Sequence, residues 1–192
     1  MGTELDSRGV DTCHALWSAL ALTTAPETVR AVHSDYLDAG ARVVTTNTYQ
    51  ATLPALLRAG HDAAAAREVI AAGVRLADEA VRRFEAKHPE AQVLIAGGLG
   101  PYGAYLADGS EYTGAYDVDI PEDSGFQEVH RPRIEVLAGQ GVSLFALETL
   151  PRLDEAQALA GMVRDLVPSA ECWVSFQVRA PKIGRASCRE SV

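Results

Sequence analysis

The chain has 192 residues, 47% of them apolar, and its 17 basic against 26 acidic side chains give a formal charge of −9. That length supports a real hydrophobic core, while the acidic balance excludes the basic footprint that nucleic acid or an anionic membrane requires. The longest apolar runs are strand-sized, which argues against a spanning helix.

The first 25 residues hold one short apolar run, Ala15 to Leu22, set among acidic residues with no basic leader, so no signal peptide is expected. Cys13, Cys172 and Cys188 are too few and scattered for a disulfide framework, which suits a reducing, cytoplasmic setting. The five histidines show no HExxH or His-x-His spacing, so no metal site assembles from local sequence.

From Pro26, "PETVRAVHSDYLDAG" places Val29, Val32, Tyr36 and Leu37 on one helical face, with Pro in the first turn and Gly40 as the stop. "ARVVTTNTYQ" comes next as a β-branched strand running into a polar loop at Asn47 to Gln50. The unit then repeats. A helix over about 62–87 carries Val69, Ile70, Leu76, Val81 and Phe84 and precedes the strand "AQVLIAGGLGP". A long polar loop leads to a helix ending near Gly139, with Pro132 in its first turn or at a kink, and then to the strand "VSLFALETLP". A helix from Asp154 to Val167, with Leu159, Met162, Val163 and Leu166 in register, precedes the strand "CWVSFQVR".

Apolar strands alternating with amphipathic helices imply parallel pairing through right-handed crossovers, as a doubly wound sheet or a (β/α)8 barrel. In both, functional groups collect at the carboxyl ends of strands, which here read Thr46-Asn47-Thr48, Gly97-Gly98, Glu148-Thr149 and Ser175.

Four features invite chemistry, each with an ordinary alternative. "AGGLGPYG" could cradle phosphate, line a substrate site, or need glycine only for its backbone angles; the residues after it do not read as a helix start, which weakens the phosphate reading. The loop carrying Tyr102, Tyr105, Tyr112 and Tyr116 is either a lid or a surface loop packed on its own aromatics, with Asp108, Glu111 and Asp117 as solvated carboxylates. "HRPR", His130 to Arg133, could bind an anion, but local pairing with Glu128 and Glu135 or exposure to solvent is the stronger expectation. Glu148, ending an apolar strand, contacts a ligand or has a fixed ionic partner, because an isolated carboxylate in low dielectric is costly.

In order, "MGTEL", "LWSA", "VTTNTYQAT", "GPYGAYLADGSEYTGAY", "HRPR" and "ALETLP" resemble the homocysteine S-methyltransferase family, especially its smaller bacterial and plant members acting on S-methylmethionine, from Met1 to about Arg179. The resemblance implies a (β/α)8 barrel, here an incomplete one with about four parallel strands, binding homocysteine and zinc at the strand ends. Zinc would lower the thiol pKa, and the resulting thiolate would take a methyl from a sulfonium donor, S-methylmethionine or S-adenosylmethionine, to give methionine; a betaine donor stays open. By the same resemblance Glu148 holds the substrate ammonium, Asn47 and Thr48 line the same pocket, Gly98, Gly100 and Pro101 form the next loop, and Tyr102 and Tyr105 cover the donor side.

None of the three cysteines matches the zinc-binding cysteines that the resemblance implies, and no strand ending in Asp-Gly-Gly precedes "MGTEL". The expectation is therefore an amino-terminal fragment over 1–179 without turnover, with a tail over 180–192 foreign to the family. A half-barrel exposes strand edges, so self-association is expected. The alternative function is a non-catalytic amino-acid-binding or interaction module.

Overall fold

In a computed structural model, residues 1–118, 120 and 125–178 are described; the 180–192 tail and Cys188 lie outside them. The chain opens with α1 (Gly2–Ser7), a 3-10 turn at Trp17–Leu20 and α2 (Ala21–Thr24). Four helix-to-strand units come after: α3 (Pro26–Asp38) to β1 (Val43–Thr45), α5 (Ala63–Glu85) to β2 (Leu94–Leu99), α7 (Gly125–Gly139) to β3 (Leu144–Leu150), and α8 (Leu153–Leu166) to β4 (Glu171–Phe176).

Local chemistry explains the starts. Pro26 fits the first turn of α3, where an amide would be unsatisfied anyway. Asp62 caps α5 by accepting a 2.8 Å bond from the Ala65 amide. The short α4 (Leu53–Arg58), which hydrophobic period does not announce, is capped in the same way by Thr52 and carries Pro54 in its first turn. Pro132 lies inside α7, where it can donate no bond to the preceding turn.

The strands form one parallel sheet in the order β1-β2-β3-β4, joining Val44 to Ile95, Gly98 to Ala146 and Phe145 to Cys172. A doubly wound sheet reverses its order at a switch point, whereas this unbroken order is an arc of a (β/α) barrel. α3, α5, α7 and α8 pack on one another in sequence. The core gathers Val29, Ile70, Leu99, Ile134, Phe145, Leu147 and Leu159, and a smaller cluster around Val44, Val81 and Phe84 lies between β1 and the first two long helices. Tyr36, expected on the core face of α3, is half exposed.

Coverage fails at β4. All six of its residues are exposed, among them Trp173, Val174 and Phe176, so the double coverage that continuous apolar strands suggest stops at β3. Among the described residues no helix is long and apolar enough to cross a membrane.

Candidate functional site

A cavity of about 550 Å³ opens at the carboxyl ends of the strands, lined by Trp17, Ser18, Asn47, Tyr49, Tyr112, Glu148, Thr149 and Ser175, and it continues along β1 past Val43, Val44 and Thr45. Two of the residues expected at a substrate site, Asn47 and Glu148, meet here. Asn47 is held by a 2.8 Å bond from its Nδ2 to the Ser18 carbonyl.

Thr48 is next to the cavity but does not line it. Its hydroxyl donates to the Gly98 carbonyl at 2.8 Å, so in the 2.6 Å contact between Thr46 and Thr48 the proton must come from Thr46. The Thr46 hydroxyl oxygen in turn accepts from the Gly98 amide at 3.0 Å. These threonines lock the end of β1 to β2. Gly98 and Gly100 are needed for space and not for backbone angle, since neither has a positive φ. A Cβ on Gly98 would sit 2.9 Å from the Thr46 carbonyl oxygen and 3.7 Å from Glu148 Oε2, and one on Gly100 would sit 2.6 Å from the Tyr49 carbonyl oxygen.

Glu148 is placed by a local irregularity. The β3–β4 register shifts between Leu147 and Leu150, and Thr149 takes φ 60, an outlier for a β-branched residue. The Thr149 amide is satisfied by Ser175 Oγ at 3.1 Å, so the bulge is held from β4. Burial pushes the Glu148 carboxyl up from its ordinary pKa, partly opposed by the amino-terminal ammonium. Among the described residues no hydrogen-bond donor reaches it. Such strain gathers at functional sites, and the three non-glycine residues with positive φ among the described residues, Trp17, Ala107 and Thr149, all line this cavity or the next.

The "HRPR" segment departs most from expectation. Arg131 does pair locally with Glu135, at 3.0 Å. His130 and Arg133, however, are fully buried. Arg133 Nη1 donates to the carbonyls of Thr48 (3.2 Å) and Tyr49 (2.6 Å), and Nη2 donates to the Gly100 carbonyl and to His130 Nδ1, both at 2.8 Å. With Nδ1 accepting, His130 is the neutral Nε2–H tautomer, which donates to Glu155 Oε1 at 2.9 Å. Burial lowers the His130 pKa and draws the Arg133 guanidinium down to about 10, so the arginine stays charged at neutral pH.

Glu155, for which the sequence suggested no role, is fully buried and also accepts from the Tyr102 amide and the Tyr116 hydroxyl, each at 2.5 Å. This overturns the expectation that no helix starts after the glycines, because α6 (Tyr102–Leu106) begins there with Pro101 as its buried N-cap. It also removes the phosphate reading, since a carboxylate already occupies the Tyr102 amide.

Tyr102 and Tyr105 line neither cavity. Tyr102 packs against Tyr105, Tyr116 and Phe126 with ring centroids 5.3–5.9 Å apart, and Arg58 stacks on Tyr105 at 4.3 Å. Most of the tyrosine loop is thus packed on itself, and Tyr112 alone turns to the cavities. A second cavity, of about 600 Å³, is lined by His14, Trp17, Gln50, Glu111 and Tyr112 and shares Trp17 and Tyr112 with the first. Gln50 Oε1 and Glu111 Oε2 are buried without hydrogen-bond partners among the described residues, so Glu111 is not the solvated carboxylate expected of it. Asp108 instead accepts from the Ser110 amide at 2.9 Å, and Asp117 is exposed.

The profile described as Homocysteine S-methyltransferase matches residues 1–189. The chain belongs to the homocysteine S-methyltransferase family. It is 44% identical to the Homocysteine S-methyltransferase of Escherichia coli (strain K12), with 93% of this chain and 57% of that protein covered. It is 39% identical to Homocysteine S-methyltransferase 1 of Zea mays, with 91% and 55% covered. The crystal structure of the Escherichia coli homocysteine methyltransferase MmuM in its metallated form superposes with a TM-score of 0.84, covering 93% of this chain and 61% of that one. The chain therefore spans little more than half the length of these family members.

A metal bound by that relative has no match in the side chains placed here. Among the described residues no group of three or more His, Cys, Asp or Glu could hold a metal ion. Cys172 lies opposite Phe145 at the start of β4, at the far end of that strand from Ser175, and Cys13 is exposed.

Proposed function

We propose that this chain supplies the amino-acid-binding part of a homocysteine S-methyltransferase site, with homocysteine in the first cavity and a sulfonium methyl donor in the second. One observation carries the reading: Glu148 is a partly dehydrated carboxylate with no donor among the described residues, held by a strained bulge at the wall of a cavity with room for an amino acid. A substrate ammonium satisfies it, because an opposite charge restores what burial removes. Asn47 supports the same wall, while Thr48, Gly98, Gly100 and Pro101 fix the loops behind it.

The second cavity suits the donor. Trp17 and Tyr112 present aromatic surface to a sulfonium, and Gln50 Oε1 and Glu111 Oε2 are free acceptors for the donor's ammonium group. Trp17 and Tyr112, common to both cavities, would hold the two reactants against each other. Methyl transfer then forms a bond between the homocysteine sulfur and the methyl carbon as the carbon–sulfonium bond breaks. A neutral thioether leaves, and the thiol proton is lost to solvent, so alignment is the main contribution of these residues. Zinc would supply thiolate formation in the family reading, but the described residues do not fit it. Amino-acid binding, not turnover, is therefore assigned to them. The free, exposed Cys13 and Cys172 suit a reducing cytoplasm.

Calorimetry with L-homocysteine and with 4-mercaptobutanoate, which lacks the ammonium, tests the reading. Saturable binding of homocysteine alone is the expected result; equal binding of both would remove Glu148 from its role. The exposed apolar residues of β4 further support self-association. Size-exclusion chromatography with light scattering should give species larger than a monomer, and a monodisperse monomer would contradict that.

A further inference from the structure

We propose that Arg133 is a positioning residue for the amino-acid site, its guanidinium fixing the loop after β1, which lines both cavities, against the loop after β2. The inference rests on the reading of the first cavity as an amino-acid site.

Charged side chains are almost never fully buried unless paired, and replacing such groups by apolar residues is often neutral or stabilising. Stability alone therefore does not explain an arginine here. Its bonds point to a geometric task. The carbonyls of Thr48 and Tyr49 lie beyond β1 and that of Gly100 lies beyond β2, outside the β1–β2 pairing that ends at Thr45 and Ala96. One planar fork reaches both loops at once, which a lysine ammonium on a flexible stem cannot reproduce. Asn47 and Tyr49 of the first cavity and Gln50 of the second lie at or within two residues of these acceptors. Through neutral His130 the same chain of bonds reaches Glu155 at the start of α8, and from there Tyr102 and Tyr116. Four segments are thereby tied to one buried cation, and two of them, the loop after β1 and the tyrosine loop, contribute residues that line the cavities.

The test uses the 192-residue chain with Arg133→Lys and, as a control on the same helix, Arg131→Met, whose parent side chain is exposed. Amide exchange and calorimetry with L-homocysteine are the readouts. With Arg133→Lys, exchange at residues 47–50 and at Gly100 and Tyr102 should rise about tenfold or more while α5 amides keep their rates, and homocysteine affinity should fall about tenfold. Arg131→Met should change neither. Uniformly faster exchange reaching α5, or unchanged exchange in both loops, would overturn the proposal by leaving Arg133 a role in stability alone or none. A parent chain that binds no homocysteine would remove the substrate reading, while the exchange arm would still decide the positioning role. If Arg133→Lys does not fold, Tyr116→Phe takes its place, since it removes one bond at the far end of the chain. Faster exchange confined to the Tyr102 amide and its neighbours is then expected, and unchanged exchange there overturns the proposal.

Discussion

Glu148→Gln is expected to weaken homocysteine binding by about 2–3 kcal/mol, on the order of a hundredfold, while raising the melting temperature of the unliganded chain at neutral pH. The two effects have one cause. Burial raises the Glu148 pKa, so the folded chain holds its proton to higher pH than the unfolded chain does. Between the unfolded and the folded value the native state binds more protons, and stability falls as pH rises through that window. Above it the full cost of a dehydrated carboxylate is carried. Gln has no such charge, so the variant should lose no stability over the same window and should melt above the parent at pH 7. It cannot offer a full negative charge to an ammonium, so binding suffers where folding gains. Melting curves across the acid range together with calorimetry check both signs. A variant that binds as tightly as the parent, or that melts below it, would remove Glu148 from the site.

The backbone is legible in the sequence wherever hydrophobic period and capping agree. Val69, Ile70, Leu76, Val81 and Phe84 are all buried on the helix their spacing describes, and Asp62 caps it. The strand ends are legible for the same reason, since an apolar run that stops at Asn47 or Glu148 marks where the sheet meets the cavity. Arg133 and His130 depart from expectation because their charge argues for solvent while their position argues for the core. On α7 they share a face with Val129, Ile134 and Leu137, all of them buried, and that spacing is present in the sequence. Glu155 carries the same signal, next to Ala156 and one turn before Leu159. What spacing cannot show is where each buried charge finds its partner. Arg133 reaches loops some 80 residues away, at Thr48 and Tyr49 (sequence separations 85 and 84), and such pairings exist only after the sheet has assembled. The tyrosines divide in the same way: Tyr102, Tyr105 and Tyr116 cluster through packing, and only the fold sets Tyr112 apart at the cavities.

Glu155→Ala should cost the chain about 3–5 kcal/mol, a large share of the roughly 5–15 kcal/mol by which a domain of this size is stable. Removing the carboxylate leaves three donors without an acceptor: the Tyr102 amide, the Tyr116 hydroxyl and His130 Nε2–H. It also strips a buried guanidinium of the one acid, among the described residues, to which its hydrogen bonds lead and whose charge opposes the desolvation of Arg133. Urea unfolding should show a lower midpoint with the slope unchanged, since the loss is one of interaction energy and not of compactness. His130→Ala combined with Glu155→Ala should cost less than the sum of the two single changes, because both delete the same bond. A loss within about half a kcal/mol, the range of an ordinary surface substitution, would mean that the relay from Arg133 to Tyr116 contributes nothing to the fold, and strict additivity would mean that its members act alone.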